Sequence, residues 1–200
     1  MHPAPAFQEL DEATLRARIA ERGLGLIVGT DDGRPRVAHS PVRLDGDCLR
    51  FHLSIANRLT AALRARPYAL AVVSDGDAYI SPDWYDMADQ VPTWNYLSAE
   101  IEGPVRILER ADAARLLDDL SAQFEARLAP KTPWTRTKMS PGRFEAMLEG
   151  IVAFEMTVER LAGTTKLSQN KPAVAIERLA SRLSERLDDA SRRIAARMRA

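Results

Sequence analysis

The residues of this chain that could do chemistry are hydroxyl, imidazole, amide, indole and ammonium groups scattered over several short segments. Hydroxyls, amides and an ammonium group suit a phosphate, and aromatic rings stack on flat molecules. The set therefore suits a planar, anionic ligand that forms hydrogen bonds. Its members are His39, Ser40, His52, Ser54, Asn57, Ser81, Trp94, Asn95, Lys166, Ser168, Gln169 and Asn170.

Single members of this set also have simpler explanations. His52 and Ser54 alternate with apolar residues, so they could be the solvent-facing side chains of an edge strand. Asn57 stands before a helical segment and would cap it. Lys166 could be a surface lysine that only keeps the protein soluble. Residue type and spacing therefore leave both the ligand interpretation and the structural one open.

Aromatic side chains concentrate in one proline-broken stretch, from Ala78 to Tyr96. One strand-like run ends at Ser81 and another, which contains Trp94, begins at Thr93, and the loop between them holds Trp84 and Tyr85 with two prolines. Exposed rings of this size are uncommon in a surface loop unless something covers them. The composition therefore predicts that a flat ligand or a second subunit covers this stretch.

Composition and missing motifs exclude several classes of protein. Lys+Arg and Asp+Glu are equal at 28 each, so no global positive field favours nucleic acid. The C-terminal arginines alternate with acidic residues, which favours a solvated helix face, and DNA binding is supported neither by charge nor by a motif. Neither a Gly-x-Gly-x-x-Gly, a P-loop nor a Gly-x-Ser-x-Gly is present, and the three histidines lack the spacing of a metal site. Cys48 is interpreted as a small strand residue and not as a nucleophile.

The elements that must position the polar set form an antiparallel meander. Asp-Gly turns at 31–33 and 45–47 separate apolar runs, and a third turn is expected at 75–77. One long strand over 93–109 is expected to break at Gly103-Pro104, a helix to begin at Ser140-Pro141, and 151–161 to form the last strand. Six or seven antiparallel strands with peripheral helices predict an α+β fold, a closed or partly closed β-barrel.

We expect residues 1–172 to form the barrel domain and residues 173–200 a C-terminal helical extension, broken near Ser181 or Asp188. No apolar run approaches the ~20 residues of a membrane-spanning helix. The first residues carry neither a basic nor an apolar signal region, so the predicted location is the cytoplasm.

Several motifs, in order along the chain, resemble the PaiB family of FMN-binding negative transcriptional regulators. The resemblance runs from the first helix to about Pro172, and TWNY together with LSQN after a basic residue is its most specific part. It implies a split β-barrel, a homodimer and FMN as cofactor. The motifs are AHSP (38–41), FHLSIAN (51–57), AYISPDWY (78–85), VPTWNY (91–96) and VAFEMTVERLAGTTKLSQN (152–170).

The resemblance also implies a flavin site, placed where FMN sits between two subunits. Ser54, Asn57 and Lys166 are assigned to its phosphate, and Trp94 and Asn95 to its ring or ribityl chain. Trp84 and Tyr85 are expected to pack structurally or against the second subunit. The implied site comprises His39, Ser40, Pro41, His52, Ser54, Asn57, Ser81, Trp94, Asn95, Lys166, Ser168, Gln169 and Asn170.

This sequence departs from the family pattern in two places. Ser40 stands where the family commonly has a hydrophobic residue before the proline, and the Arg-rich tail beyond Pro172 is not explained by the resemblance. Three functions compete: a PaiB-type regulator, a flavin-dependent oxidoreductase or flavin reductase that uses FMN at a dimer interface, and a protein that only binds or stores flavin.

Overall fold

The computed structural model describes residues 2–199, which form antiparallel strands and surrounding helices. The strands are β1 (Gln8–Glu9), β2 (Leu24–Asp31), β3 (Arg34–Asp45), β4 (Cys48–Ser54), β5 (Tyr68–Ile80), β6 (Thr93–Ile107), β7 (Ile151–Thr157) and β8 (Arg160–Lys166). The α-helices are α1 (Glu12–Arg22), α2 (Arg58–Ala65), α3 (Arg110–Glu125), α4 (Arg143–Leu148), α5 (Ala173–Ser184) and α6 (Asp189–Arg199).

The chain divides into two compact units. Among the described residues, the first unit comprises residues 2–18, 73–100 and 162–199, and the second comprises residues 19–72 and 101–161. The long strands β5 and β6 each contribute residues to both units. No helix within residues 2–199 is both long and apolar enough to cross a membrane.

The strands of the second unit form a closed ring. β5 pairs with β2, β2 with β3, β3 with β4, β4 with β7, and β7 with β6, all antiparallel. The backbone N–H of Val105 in β6 donates to the carbonyl of Pro67, just before β5, at 2.9 Å. Phe51 and Phe154 stack inside the ring with their centroids 5.3 Å apart. The predicted antiparallel, mainly β architecture with helices is confirmed.

Alternation along the strands decides which side chains face the core of this ring. Leu49, Phe51 and Leu53 of β4 are buried because every second side chain of a strand points to the same face. The β2–β3 turn places Asp32 and Gly33 at positive φ, 47° and 75°, as a tight hairpin of the expected twist requires. The predicted meander is therefore confirmed for β2, β3 and β4.

The helices α2, α3 and α4 of the second unit pack beside its strands. Asn57 caps α2, and its Oδ1 accepts a hydrogen bond from the N–H of Leu59 at 2.9 Å, as its type predicts. Leu116 and Leu120 of α3 share an apolar cluster with Leu148 of α4. This cluster borders one of the cavities described below.

The core of the first unit depends on the C-terminal helices. Leu179 of α5 and Ile194 of α6 pack with Ile80, Tyr85 and Leu97 in one buried cluster. The helical tail breaks between Ser184 and Asp189, close to the predicted Asp188. The domain boundary between residues 172 and 173 stays a prediction. The first residue of the predicted barrel domain and the last residue of the extension, 1 and 200, lie outside the described residues.

Four local predictions are wrong. β5 runs through 75–77 without turning, because Asp75 is buried and bound to arginines of α6. β6 passes Gly103-Pro104 unbroken; a Cβ at Gly103 would lie 1.9 Å from the carbonyl oxygen of Thr157, so the glycine permits close approach within the sheet. Gly142, at φ 74°, precedes α4 in place of Ser140-Pro141. The predicted last strand, 151–161, ends at Thr157, and a further strand, β8, follows it, whose threonines and glycine show no apolar alternation in the sequence.

Candidate functional site

The implied flavin residues fall in both units, and each unit is described by itself. His39, Ser40, Pro41, His52, Ser54 and Asn57 belong to the second unit, and Ser81, Trp94, Asn95, Lys166, Ser168, Gln169 and Asn170 belong to the first.

In the second unit, Ser40 connects β3 to β4. Its side chain is 1% exposed, and its Oγ donates to the carbonyl of His52 at 2.7 Å. The N–H of His52 lies 3.3 Å from the same Oγ. His39, the neighbour of Ser40, is exposed on the opposite face of β3. Ser40 therefore holds the backbone of His52 in place, while His39 remains open to a ligand or partner.

His52 is a half-buried imidazole beside a cavity. Its Nδ1 is buried and has no hydrogen-bond partner among residues 2–199. Burial lowers the pKa of His52 below its usual value of 6.5, since desolvation disfavours the charged ring. The cavity measures about 320 Å³ and is lined by His52, Leu117, Ser121, Trp134, Phe144 and Met147, with further apolar residues. Near neutral pH it therefore presents an uncharged imidazole.

The end of β4 presents polar groups next to the start of α2. Ser54 is exposed, and its carbonyl accepts a hydrogen bond from Thr60 Oγ1 at 2.8 Å. Arg58, the first residue of α2, is exposed and has no carboxylate partner among residues 2–199. Sequence reasoning missed Arg58, although its position directly after Asn57 in the FHLSIAN run could have indicated it.

In the first unit, Asn95 and Ser168 form a buried hydrogen-bond network with Tyr85. Ser168 Oγ donates to Asn95 Oδ1 at 3.1 Å, so Tyr85, whose OH lies 2.8 Å from Ser168 Oγ, donates to the serine. Asn95 is 0% exposed and Ser168, at φ 62°, is buried. These side chains join the start of β6 to the loop after β8 and position the neighbouring lysine and tryptophan.

Lys166 and Lys171 face a second cavity of about 290 Å³ in the first unit. Lys166 Nζ donates to Thr93 Oγ1 at 2.6 Å, and Lys171 Nζ donates to Gln90 Oε1 at 2.5 Å. Neither lysine has a carboxylate partner among residues 2–199, although the exposed Asp89 also lines the cavity. Desolvation lowers the pKa of Lys166. Two ammonium groups without a counter-charge suit a phosphate.

The other implied flavin residues of the first unit lie at the end of β5, the start of β6 and the end of β8. Trp94 is 53% exposed and meets Tyr79 edge-on, with centroids 5.9 Å apart. Gln169 accepts from the N–H of Leu167 at 2.8 Å and donates to the carbonyl of Ala6 at 2.9 Å. Ser81 is half-buried, and Asn170 is exposed at the rim of the lysine cavity.

The prediction that Trp84 and Tyr85 pack structurally is confirmed. Tyr85 is 2% exposed within the core of the first unit, and Trp84 packs against that core. The aromatic stretch therefore has a buried part at Tyr85 and an exposed part at Trp94.

Solved structures show which class of protein has this fold. The chain superposes on the flavocytochrome Anf3 from Azotobacter vinelandii with a TM-score of 0.61 at 17% identity, over 83% of this chain and 72% of that one. It superposes on the FAD and heme binding protein from Mycobacterium smegmatis with a TM-score of 0.60 at 19% identity, over 87% and 79%. The fold is that of the split-barrel flavoproteins, as predicted.

The family follows from the sequence. Residues 1–160 match the family described as "Putative FMN-binding domain". The chain is also 31% identical over 157 residues to Protease synthase and sporulation protein PAI 2 of Bacillus subtilis (strain 168), across 76% of this chain and 74% of that protein. It therefore belongs to the PaiB family of FMN-binding proteins, and its cofactor is FMN.

The chemistry of the donor groups fits this cofactor. FMN carries a phosphate and a flat ring, and the first unit offers two ammonium groups that have no carboxylate partner in the described part of the chain, together with an exposed indole. When bound, FMN supplies hydride or electron-transfer chemistry, and the protein supplies binding and orientation.

Proposed function

We propose that this FMN-binding protein is a regulator of gene expression that works as a homodimer in the cytoplasm. The observation that carries the proposal is its 31% identity to PAI 2, whose name connects that protein with protease synthesis and sporulation. The match covers about three quarters of both chains, which supports a shared function more strongly than the fold alone does.

The FMN contacts proposed for each unit follow the polar groups described above. In the second unit they are His39, Pro41, His52, Ser54 and Asn57, with Ser54 and Asn57 assigned to phosphate, and the buried Ser40 takes part by holding the backbone of His52. In the first unit they are Ser81, Trp94, Lys166, Gln169 and Asn170, with Lys166 assigned to phosphate and Trp94 to the ring, and the buried Asn95 and Ser168 take part by positioning their neighbours. Lys166, which has no carboxylate partner among residues 2–199, and the exposed Trp94 support these two roles.

The homodimer is supported by large apolar side chains exposed on the strands of each unit. In the first unit Tyr79 is 47% and Trp94 53% exposed, and in the second unit Val37 is 52% exposed. A second copy of the chain packed on these strands would remove such apolar side chains from water.

Regulation through the arginines of α5 and α6 is disfavoured. Each of them lies within 4.0 Å of a carboxylate oxygen, with Arg193 and Arg197 sharing Asp75, so most of their charge is already balanced. Binding to DNA phosphates draws on unpaired cations that release counterions. We therefore propose that the protein affects transcription indirectly, through its flavin or through a protein partner.

The test begins with purified protein that is incubated with FMN and desalted. It should keep the visible absorbance of flavin and elute as a dimer, whereas a colourless monomer would contradict both FMN binding and dimerisation. Deletion of the gene should change transcript levels of protease genes, and mixing with NADH or NADPH should leave the flavin oxidised. Rapid reduction of the flavin with unchanged transcripts would instead identify an oxidoreductase.

A further inference from the structure

We propose that the cavity beside His52 binds a second small molecule, one that is neutral, mainly apolar and about two rings in size. This molecule would be the effector to which the regulator responds, so the inference rests on the proposed function. The cavity lies wholly within the second unit, under α3, α4 and the segment that connects them.

The walls of the cavity are mainly apolar. Aromatic rings and flexible thioethers adapt to a flat apolar molecule, and methionine in particular fits irregular shapes. The volume of about 320 Å³ falls at the lower end of small-molecule sites. The apolar walls are Leu117, Trp134, Met139, Phe144, Met147, Leu148 and Ile151.

The few polar groups around the cavity carry no net charge. Asp118 at the cavity is paired with Arg136 at 3.3 Å, and the guanidinium of Arg136 also lies 4.8 Å from the centre of the Phe144 ring. His52 is held neutral by burial. A charged ligand would therefore lose hydration here without gaining a counter-charge, which favours a neutral one.

One hydroxyl or N–H group on the ligand would find a partner. Ser121 Oγ donates to the carbonyl of Leu117 at 2.7 Å, so its lone pairs remain for a donor from the cavity side. The neutral imidazole of His52 and the ion-paired Asp118 are the other polar side chains at the wall. A phenol-like molecule thus matches both the apolar walls and these few polar groups.

The test uses the FMN-loaded dimer and 2-naphthol, with 2-naphthyl phosphate as a charged comparison. Calorimetric titration should show saturable binding of 2-naphthol and at least about tenfold weaker binding of the phosphate ester, because a dianion cannot be accommodated without a counter-charge. FMN content is measured from visible absorbance in the same samples, which reports on the proposed function separately.

Two variants place the binding at this cavity. Met147 is 56% exposed at its mouth, and Leu128 is 53% exposed but does not line it. Met147→Asp should weaken 2-naphthol binding by about tenfold, since it puts a carboxylate beside the apolar walls. Leu128→Asp should leave binding unchanged, and both variants should keep their FMN.

The outcomes separate the inference from the proposed function. Protein that keeps FMN but shows no saturable binding of 2-naphthol would overturn the inference alone. It would also be overturned if Met147→Asp bound as tightly as Leu128→Asp, or if apo-protein bound 2-naphthol and FMN displaced it, since the flavin ring would then occupy the cavity. Protein that retains no FMN would overturn the proposed function.

Discussion

Replacing Lys166 with glutamine tests the assignment of the FMN phosphate. The ammonium group of Lys166 has no carboxylate partner among residues 2–199 and faces a cavity with Lys171. Glutamine keeps a polar side chain of similar shape but removes the charge. The substitution therefore isolates the attraction between the ammonium group and an anion.

The expected loss follows from the character of this hydrogen bond. A hydrogen bond to a charged group contributes about 1.5–3 kcal/mol net. Lys166 is only partly desolvated, and it can keep its 2.6 Å bond to Thr93 while another of its three N–H groups donates to phosphate, so a middle value of about 2 kcal/mol applies. That corresponds to a roughly 30-fold rise in the Kd for FMN.

The assay is quenching of flavin fluorescence, performed with both FMN and riboflavin. Riboflavin lacks the phosphate, so its Kd should stay constant while that for FMN rises. Lys138→Gln is the matched control, since Lys138 donates to the carbonyl of Pro133 and lines neither cavity. Because desolvation lowers the pKa of Lys166, affinity for FMN should also fall with rising pH earlier than an ordinary lysine would predict.

Equal losses for FMN and riboflavin would refute the reasoning, since the lysine would then act on the ring or on the fold. An unchanged Kd for FMN would place the phosphate elsewhere, with Ser54, Asn57 and Arg58 at the start of α2 as the remaining group.

Three further predictions concern stability. Because the pKa of His52 is lower in the folded protein than in the unfolded chain, the unfolded chain takes up a proton at higher pH than the folded protein does. The free energy of unfolding should therefore decrease as the pH is lowered through about 6.5. In urea titrations His52→Gln should flatten this slope, and the exposed His39→Gln should not. Gly103→Ala should cost about 3 kcal/mol in urea unfolding through a backbone clash, whereas Gly150→Ala, whose nearest contact would be 3.3 Å, should change it by less than about 1 kcal/mol. Asp75→Asn should raise amide exchange throughout α6, because two arginine partners of a 1% exposed carboxylate are lost; unchanged exchange would contradict that role.

Local patterns in the sequence determined much of the barrel and the family. The turn at 31–33, the alternation of Leu49 to Leu53 and the cap at Asn57 each depend on residues a few positions apart, so their physics can be read along the chain. The FMN motifs are likewise contiguous runs. The polar candidates were found because hydroxyl, amide and ammonium groups suit phosphate wherever they lie.

Only the tertiary structure decided what those groups contact. Asp75 resembles a turn residue in sequence, yet it is buried because arginines more than a hundred positions later reach it. Ser168 and Asn95, 73 positions apart, satisfy one another inside the core, and the cavity beside His52 exists only because α3 and α4 pack over β4 and β7. Such contacts depend on how distant segments pack, and buried polar groups must find their partners there, so composition and local spacing did not reveal them.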